Sequence, residues 1–155
     1  MRVAGFSDGL ASSVAVRLAN DLVVPVVSLP ALLILKLFAW RDRKQERRDA
    51  ADIHALLKQY GDAGNEDRLY GEALNILEEE GHDFEVAGAR LLGRDAAAVL
   101  SEDTRRRARE ILESDREMEE LRGQMIVLST GSDPARDLQC ELLIKKLLQG
   151  FLQAP

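Results

Sequence analysis

The chain has 155 residues, 46% of them hydrophobic, and a formal net charge of −6. That length fits one domain with a sizeable core. A single cysteine excludes an intrachain disulfide and a cysteine-pair zinc site, and an aromatic content of 5% is meagre for a base-stacking surface.

The first thirty residues differ in character from the rest. Val14 to Leu18 and Leu22 to Val27 are short and rich in β-branched residues, with Asn20-Asp21 between them as a turn signal. They predict a hairpin, and Pro25 confines the second strand to an edge or a strand end. Met1 to Phe6 is a candidate third strand. Such a small sheet is poorly stable alone, and its open edge invites a partner.

Ser28-Leu29-Pro30 predicts a helix start, with Ser28 or Leu29 as cap and Pro30 in the first turn. Leu33, Leu37 and Trp40 share one face of this helix; Lys36, Trp40 and Arg43 share an adjoining one. A second helix is predicted from Arg47 to Tyr60, with Ile53, Leu56, Leu57 and Tyr60 as its apolar stripe. Between the two, Arg41 to Arg48 concentrates positive charge. Residues 1–60 carry nine Lys/Arg against six Asp/Glu, the remainder twelve against twenty-one. The local excess suits an anion, or else forms a solvated helix end.

Gly61 to Asn65 reads as a loop, and four helical stretches follow. Glu66 to Glu80 would bury Leu69, Ala73, Ile76 and Leu77 and stop at Gly81. Glu78 to Glu80 reads as a solvated helix end rather than a metal site. Phe84 to Leu100 contains the small residues Gly88, Ala89 and Gly93, which suit close helix packing. A stretch opening at Ser101 carries Ala108, Ile111, Leu112, Met118 and Leu121, and Gln124 to Leu128 suits helix or strand. After Gly131 to Pro134 a last helix carries Leu138, Leu142, Leu143, Leu147 and Phe151, with Cys140 as a buried thiol. The expected fold class is α+β, mostly α: a short N-terminal hairpin in residues 1–29, then a bundle of about six helices in residues 30–155, packed as one unit.

The apolar run from Leu22 to Leu37 is broken by Pro25 and Pro30 and contains Lys36, so it does not span a bilayer. With no signal peptide and one thiol, a cytoplasmic protein is expected. His54 and His82 suggest no metal pair, and no serine stands in a nucleophile elbow.

Chemistry concentrates in Lys36, Trp40, Arg43, Arg48, Asp49 and Asp52. Asp49 and Asp52 lie three apart on a helix and project from one face, while Arg48 and Asp52, four apart, suit each other as an ion pair. Two readings follow. In one, Lys36 and the two carboxylates form a salt-bridge network tying the helices together. In the other, Lys36 is a point-charge ligand for a triphosphate, oriented by Asp49. Trp40 suits either a core position or stacking on a base.

The run Val26 to Trp40, followed by Arg48-Asp49-Ala50-Ala51-Asp52-Ile53, resembles the AbiEii-toxin type of predicted nucleotidyltransferases within the DNA polymerase beta-like superfamily. Asn65 to Tyr70, Gly88 to Asp95 and Lys146 to Phe151 extend the similarity over most of the chain. The resemblance implies nucleotide transfer from an NTP with two divalent metals, Mg2+ or Mn2+, held by a D-x-D pair behind a Gly-Ser loop. It implies Lys36, Asp49 and Asp52 as the matching catalytic positions, with Trp40, Arg43 and Arg48 beside them on the nucleotide, and an RNA acceptor. This sequence contains no Asp-x-Asp, and Asp8 and Asp21 stand singly. The expectation is therefore a truncated or inactive form with residual NTP binding, without metal ligands of its own. Its open strand edge would serve self-association or a missing catalytic module. The alternative is a non-catalytic helical module that offers Arg41 to Arg48 to RNA or to an acidic partner.

Overall fold

The computed structural model describes residues 5–18, 21–127 and 134–154. Among these are nine helices and one antiparallel hairpin, in the order α1 (Phe6–Ala11), β1 (Val14–Arg17), β2 (Val23–Val26), α2 (Leu29–Asp42), α3 (Arg48–Gln59), α4 (Glu66–Leu69), α5 (Leu74–Glu79), α6 (Phe84–Ala98), α7 (Glu102–Leu112), α8 (Asp115–Val127) and α9 (Pro134–Gln153). The α+β, mostly α class holds, with more and shorter helices than six.

The hairpin pairs Val14 with Val26, Ala15 with Pro25, Val16 with Val24 and Arg17 with Val23. Leu18 N–H donates to Leu22 O at 2.7 Å. Hydrogen-bonded pairs alternate along an antiparallel ladder, so Pro25 falls at a non-bonded pair and its missing N–H faces outward. Val14, Val16, Leu18, Leu22 and Val26 project from one face of the ribbon and are all exposed.

A third strand over Met1 to Phe6 does not form at its C-terminal end: Phe6 opens α1, while residues 1–4 lie outside the described residues. The short helix is held from afar. Asp8 accepts the Ser101 backbone N–H at 3.0 Å, capping the start of α7. Burial would raise the Asp8 pKa, but hydrogen bonds from Thr104 and Ser101 hold it below its ordinary value.

Ser28 caps α2 as its position suggests, accepting the Ala31 N–H at 3.4 Å. The stretch predicted as one helix over 66–80 is two. Ala73 N–H reaches back to Arg68 O at 2.8 Å and Gly71 N–H to the same oxygen at 3.2 Å, so the chain turns at Tyr70-Gly71. The stretch after Ser101 also divides. Ser114 Oγ accepts the Glu117 N–H at 3.4 Å and starts α8 anew, and that helix runs through Gln124 to Val127. Leu128 lies outside the described residues.

The core is organised around α6, in which Val86 to Gly93 are all buried. Its long contact is α9. A Cβ on Gly93 would overlap the Leu147 carbonyl oxygen, and one on Gly150 would overlap the Arg90 carbonyl oxygen. Gly88 lies close to the α3–α4 loop, though less tightly, and a Cβ there would stand 2.8 Å from Gly61 N. These glycines set the distance between backbones. Leu138, expected in the apolar stripe of α9, is instead exposed, whereas Leu143, Leu147 and Phe151 are buried.

Glu80 departs from its reading as a solvated residue. Its side chain is 4% exposed and accepts Lys146 Nζ at 2.6 Å and Arg90 Nη1 at 2.7 Å. Burial pushes its pKa up, but the hydrogen bonds from Lys146 and Arg90 outweigh this and hold it below its ordinary 4.5. The unfolded chain therefore takes up this proton before the folded one does. The contribution of Glu80 is complete at neutral pH and fades as pH falls through the depressed folded value. Glu80→Gln should lower the melting temperature at pH 7, and the gap to the wild type should narrow in melts at about pH 3.

Candidate functional site

α2 and α3 pack side by side, and their shared edge carries the charged residues singled out in the sequence. Lys36 projects from the third turn of α2. Its Nζ lies 3.1 Å from Asp49 Oδ1 and 2.6 Å from Asp52 Oδ2, so the i, i+3 carboxylates do project together. Arg43, at the end of α2, reaches the other oxygen of Asp49 at 3.0 Å. Asp49 is 3% exposed and is the buried centre of the cluster; Asp52 is half exposed. The hydrogen bond to Asp52 raises the Lys36 pKa against burial, so its ammonium stays charged at neutral pH.

Arg48 does not pair with Asp52, because Lys36 holds that carboxylate. Arg48 and Arg47 have no ion-pair partner among the described residues, and Arg41 lies over the Phe38 ring at 5.9 Å. Trp40 has no surface to offer a ligand. It is 0% exposed, its indole N–H donates to Gln124 Oε1 at 3.0 Å, and Lys44 covers its ring at 5.1 Å. The structure corrects its placement on a nucleotide: Trp40 is a core residue joining α2 to α8.

A cleft of about 420 Å3 opens between α2 and α3 beside Lys36. Its volume falls in the roughly 300–1,000 Å3 range of small-molecule pockets. Leu29, Leu32 and Leu56 wall it, Lys36 and Asp52 stand at one end, and Gln59 and Tyr60 at the other. The sequence places Leu56 in the buried stripe of α3, which hides this role; its incomplete burial is visible only once α2 is packed. Tyr60 is fixed from behind. Its hydroxyl donates to Asp95 Oδ2 at 2.7 Å, and Arg68 grips both oxygens of Asp95 at 2.7 and 3.0 Å. Burial, then the bond to Asp95, drives the Tyr60 pKa upward, so the phenol stays protonated.

Cys140 is no nucleophile here. It is buried with its Sγ 3.6 Å from His54 Nε2; burial, then Asp137, pushes its thiol up, and burial pushes His54 down.

The divalent metals implied by the resemblance do not fit these carboxylates. Both oxygens of Asp49 face cations, and Lys36 occupies the space between Asp49 and Asp52. Among the described residues no three His, Cys, Asp or Glu side chains come together as ligands. Nor is any helix among them long and apolar enough to cross a membrane.

The fold is mostly helical, and α2 and α3 bring Lys36 onto Asp49 and Asp52, the three positions the resemblance singles out. The family model described as "Nucleotidyl transferase AbiEii toxin, Type IV TA system" matches residues 8–133, and the chain belongs to this family. No curated protein and no solved structure matches the chain.

Proposed function

We propose that the α2–α3 edge is the nucleotide-holding side of a nucleotidyltransferase site, and that this chain alone binds an NTP without transferring it. The observation that carries this reading is the position of Lys36, a charged ammonium at the mouth of an apolar cleft, oriented by a buried aspartate. As a compact point charge it suits a phosphate oxygen. Asp49 positions Lys36, and Asp52 is the exposed carboxylate nearest a bound nucleotide. Membership of the family supports nucleotide chemistry, and the absence of any Asp-x-Asp from this sequence argues against self-sufficient transfer.

Calorimetry with NTPs tests the first half. Lys36→Ala should weaken binding at least tenfold, about 1.4 kcal/mol. Unchanged affinity would return Lys36 to a purely structural ion pair. Labelled NTPs with magnesium or manganese test the second half: the purified chain should label neither itself nor RNA, and metal-dependent incorporation would overturn this. Arg47 and Arg48, without ion-pair partners among the described residues, favour one rival, a binding surface for RNA. Salt-sensitive RNA binding without NTP binding would select it.

A further inference from the structure

We propose that the cleft between α2 and α3 is the base subsite of the bound nucleotide, with the polyphosphate running from Lys36 toward Arg47 and Arg48 at the start of α3. This rests on the NTP reading above and assigns the nucleotide its direction.

Arg48, Asp52, Leu56 and Gln59 recur on one side of α3 at spacings of four, four and three. At 1.5 Å per residue they extend over about 16 Å, comparable to an extended nucleoside triphosphate. Chemistry changes along that line. The first turn offers guanidinium groups without carboxylate partners among the described residues, beside a hollow lined by Glu46, Arg47, Arg48 and Ala51. Lys36 and Asp52 follow, and then the leucine-walled cleft. Ala51 lines the hollow and Ala55 the cleft, four residues apart and hence one turn from each other on α3.

Charge decides the direction. Phosphates belong on the cationic first turn, and the apolar cleft suits a planar heterocycle. Half-exposed Asp52, between the two, can accept ribose hydroxyls. At the far end the exposed Gln59 offers both an amide donor and an acceptor to the edge of a base. Tyr60 cannot swing into the cleft while Asp95 holds its hydroxyl, so the cleft stays open.

The test is calorimetry on the full chain with ATP and with inorganic tripolyphosphate. Wild type should bind ATP at least tenfold more tightly than tripolyphosphate. Ala55→Trp places an indole over the cleft from an exposed helical position. It should bring ATP down to the tripolyphosphate affinity and leave tripolyphosphate within twofold. Leu56→Ala, a second variant, should weaken ATP alone. Arg47→Ala with Arg48→Ala should weaken both probes. Gln59→Leu should change the ratio of ATP to GTP affinity, and an unchanged ratio removes Gln59 from base recognition. If wild type binds ATP no better than tripolyphosphate, or both cleft variants leave ATP unaffected, the base subsite is wrong while the NTP reading stands. If wild type binds neither probe, both fall together.

Discussion

Replacing Gly150 by alanine should cost this protein at least about 3 kcal/mol and lower its melting temperature by roughly 10 °C. The new methyl would overlap the Arg90 carbonyl oxygen and stand 2.8 Å from its carbon and 3.0 Å from Arg94 N. These neighbours are backbone atoms of the most buried helix, so no side chain can swing aside. α6 and α9 must separate instead, which strips Leu91, Leu92, Leu147 and Phe151 of their packing. Gly93→Ala should act alike, because its methyl meets Leu147 and Phe151 from the opposite side of the crossing. Gly123→Ala is the control. A Cβ there meets nothing within 4 Å, and alanine favours helix, so a gain of about 0.5–1 kcal/mol is expected. Urea melts of the three variants separate helix propensity from steric contact. A Gly150→Ala protein as stable as wild type would show that the helices can slide apart without loss.

Much of this fold is legible from periodicity, and the exceptions have specific physical causes. The caps of α2 and α6 are local: Ser28 and Asp83 each accept a backbone N–H three residues ahead. The break between α7 and α8 is equally local, since Ser114-Asp115-Arg116-Glu117 has capping-box spacing, but the apolar stripe on both sides conceals it. α1 is different. Its Asp8 caps a helix 93 residues further on, a contact that no window of sequence contains. Glu80 is hidden for the same reason, because both of its cations come from other helices. At the candidate site, helical spacing alone is enough to bring Asp49 and Asp52 to one face. Spacing alone does not decide which cation each takes. Arg48 is the nearer in sequence for Asp52, but packing against α2 delivers Lys36, and Arg48 is left to solvent. Trp40 sits where two faces of α2 meet, and only the arrival of α8 makes it core.

The two readings of Lys36 separate when stability and affinity are measured on the same variants. Asp49→Ala should cost about 2 kcal/mol. Its carboxylate is buried and links Lys36 and Arg43, yet both cations keep some solvent and Lys36 keeps Asp52. The loss is therefore smaller than the roughly 3–5 kcal/mol expected for breaking a fully buried pair. Asp52→Ala, half exposed, should change stability by no more than about 0.5 kcal/mol. Lys36→Ala falls between them, at about 1 kcal/mol, because Arg43 still neutralises Asp49. A strut predicts nothing more than this ranking. A phosphate ligand predicts a different ranking for nucleotide affinity, with Lys36→Ala the worst of the three although it is not the least stable. Asp49→Asn then isolates positioning from packing. It retains the volume and an acceptor for one cation but loses the charge that aims the ammonium. If Asp49 orients Lys36, the asparagine variant loses NTP affinity at temperatures where it is fully folded. If affinity tracks only the melting temperature across all four variants, the network is an ion-paired brace between α2 and α3, and nucleotide binding must be sought elsewhere on the chain.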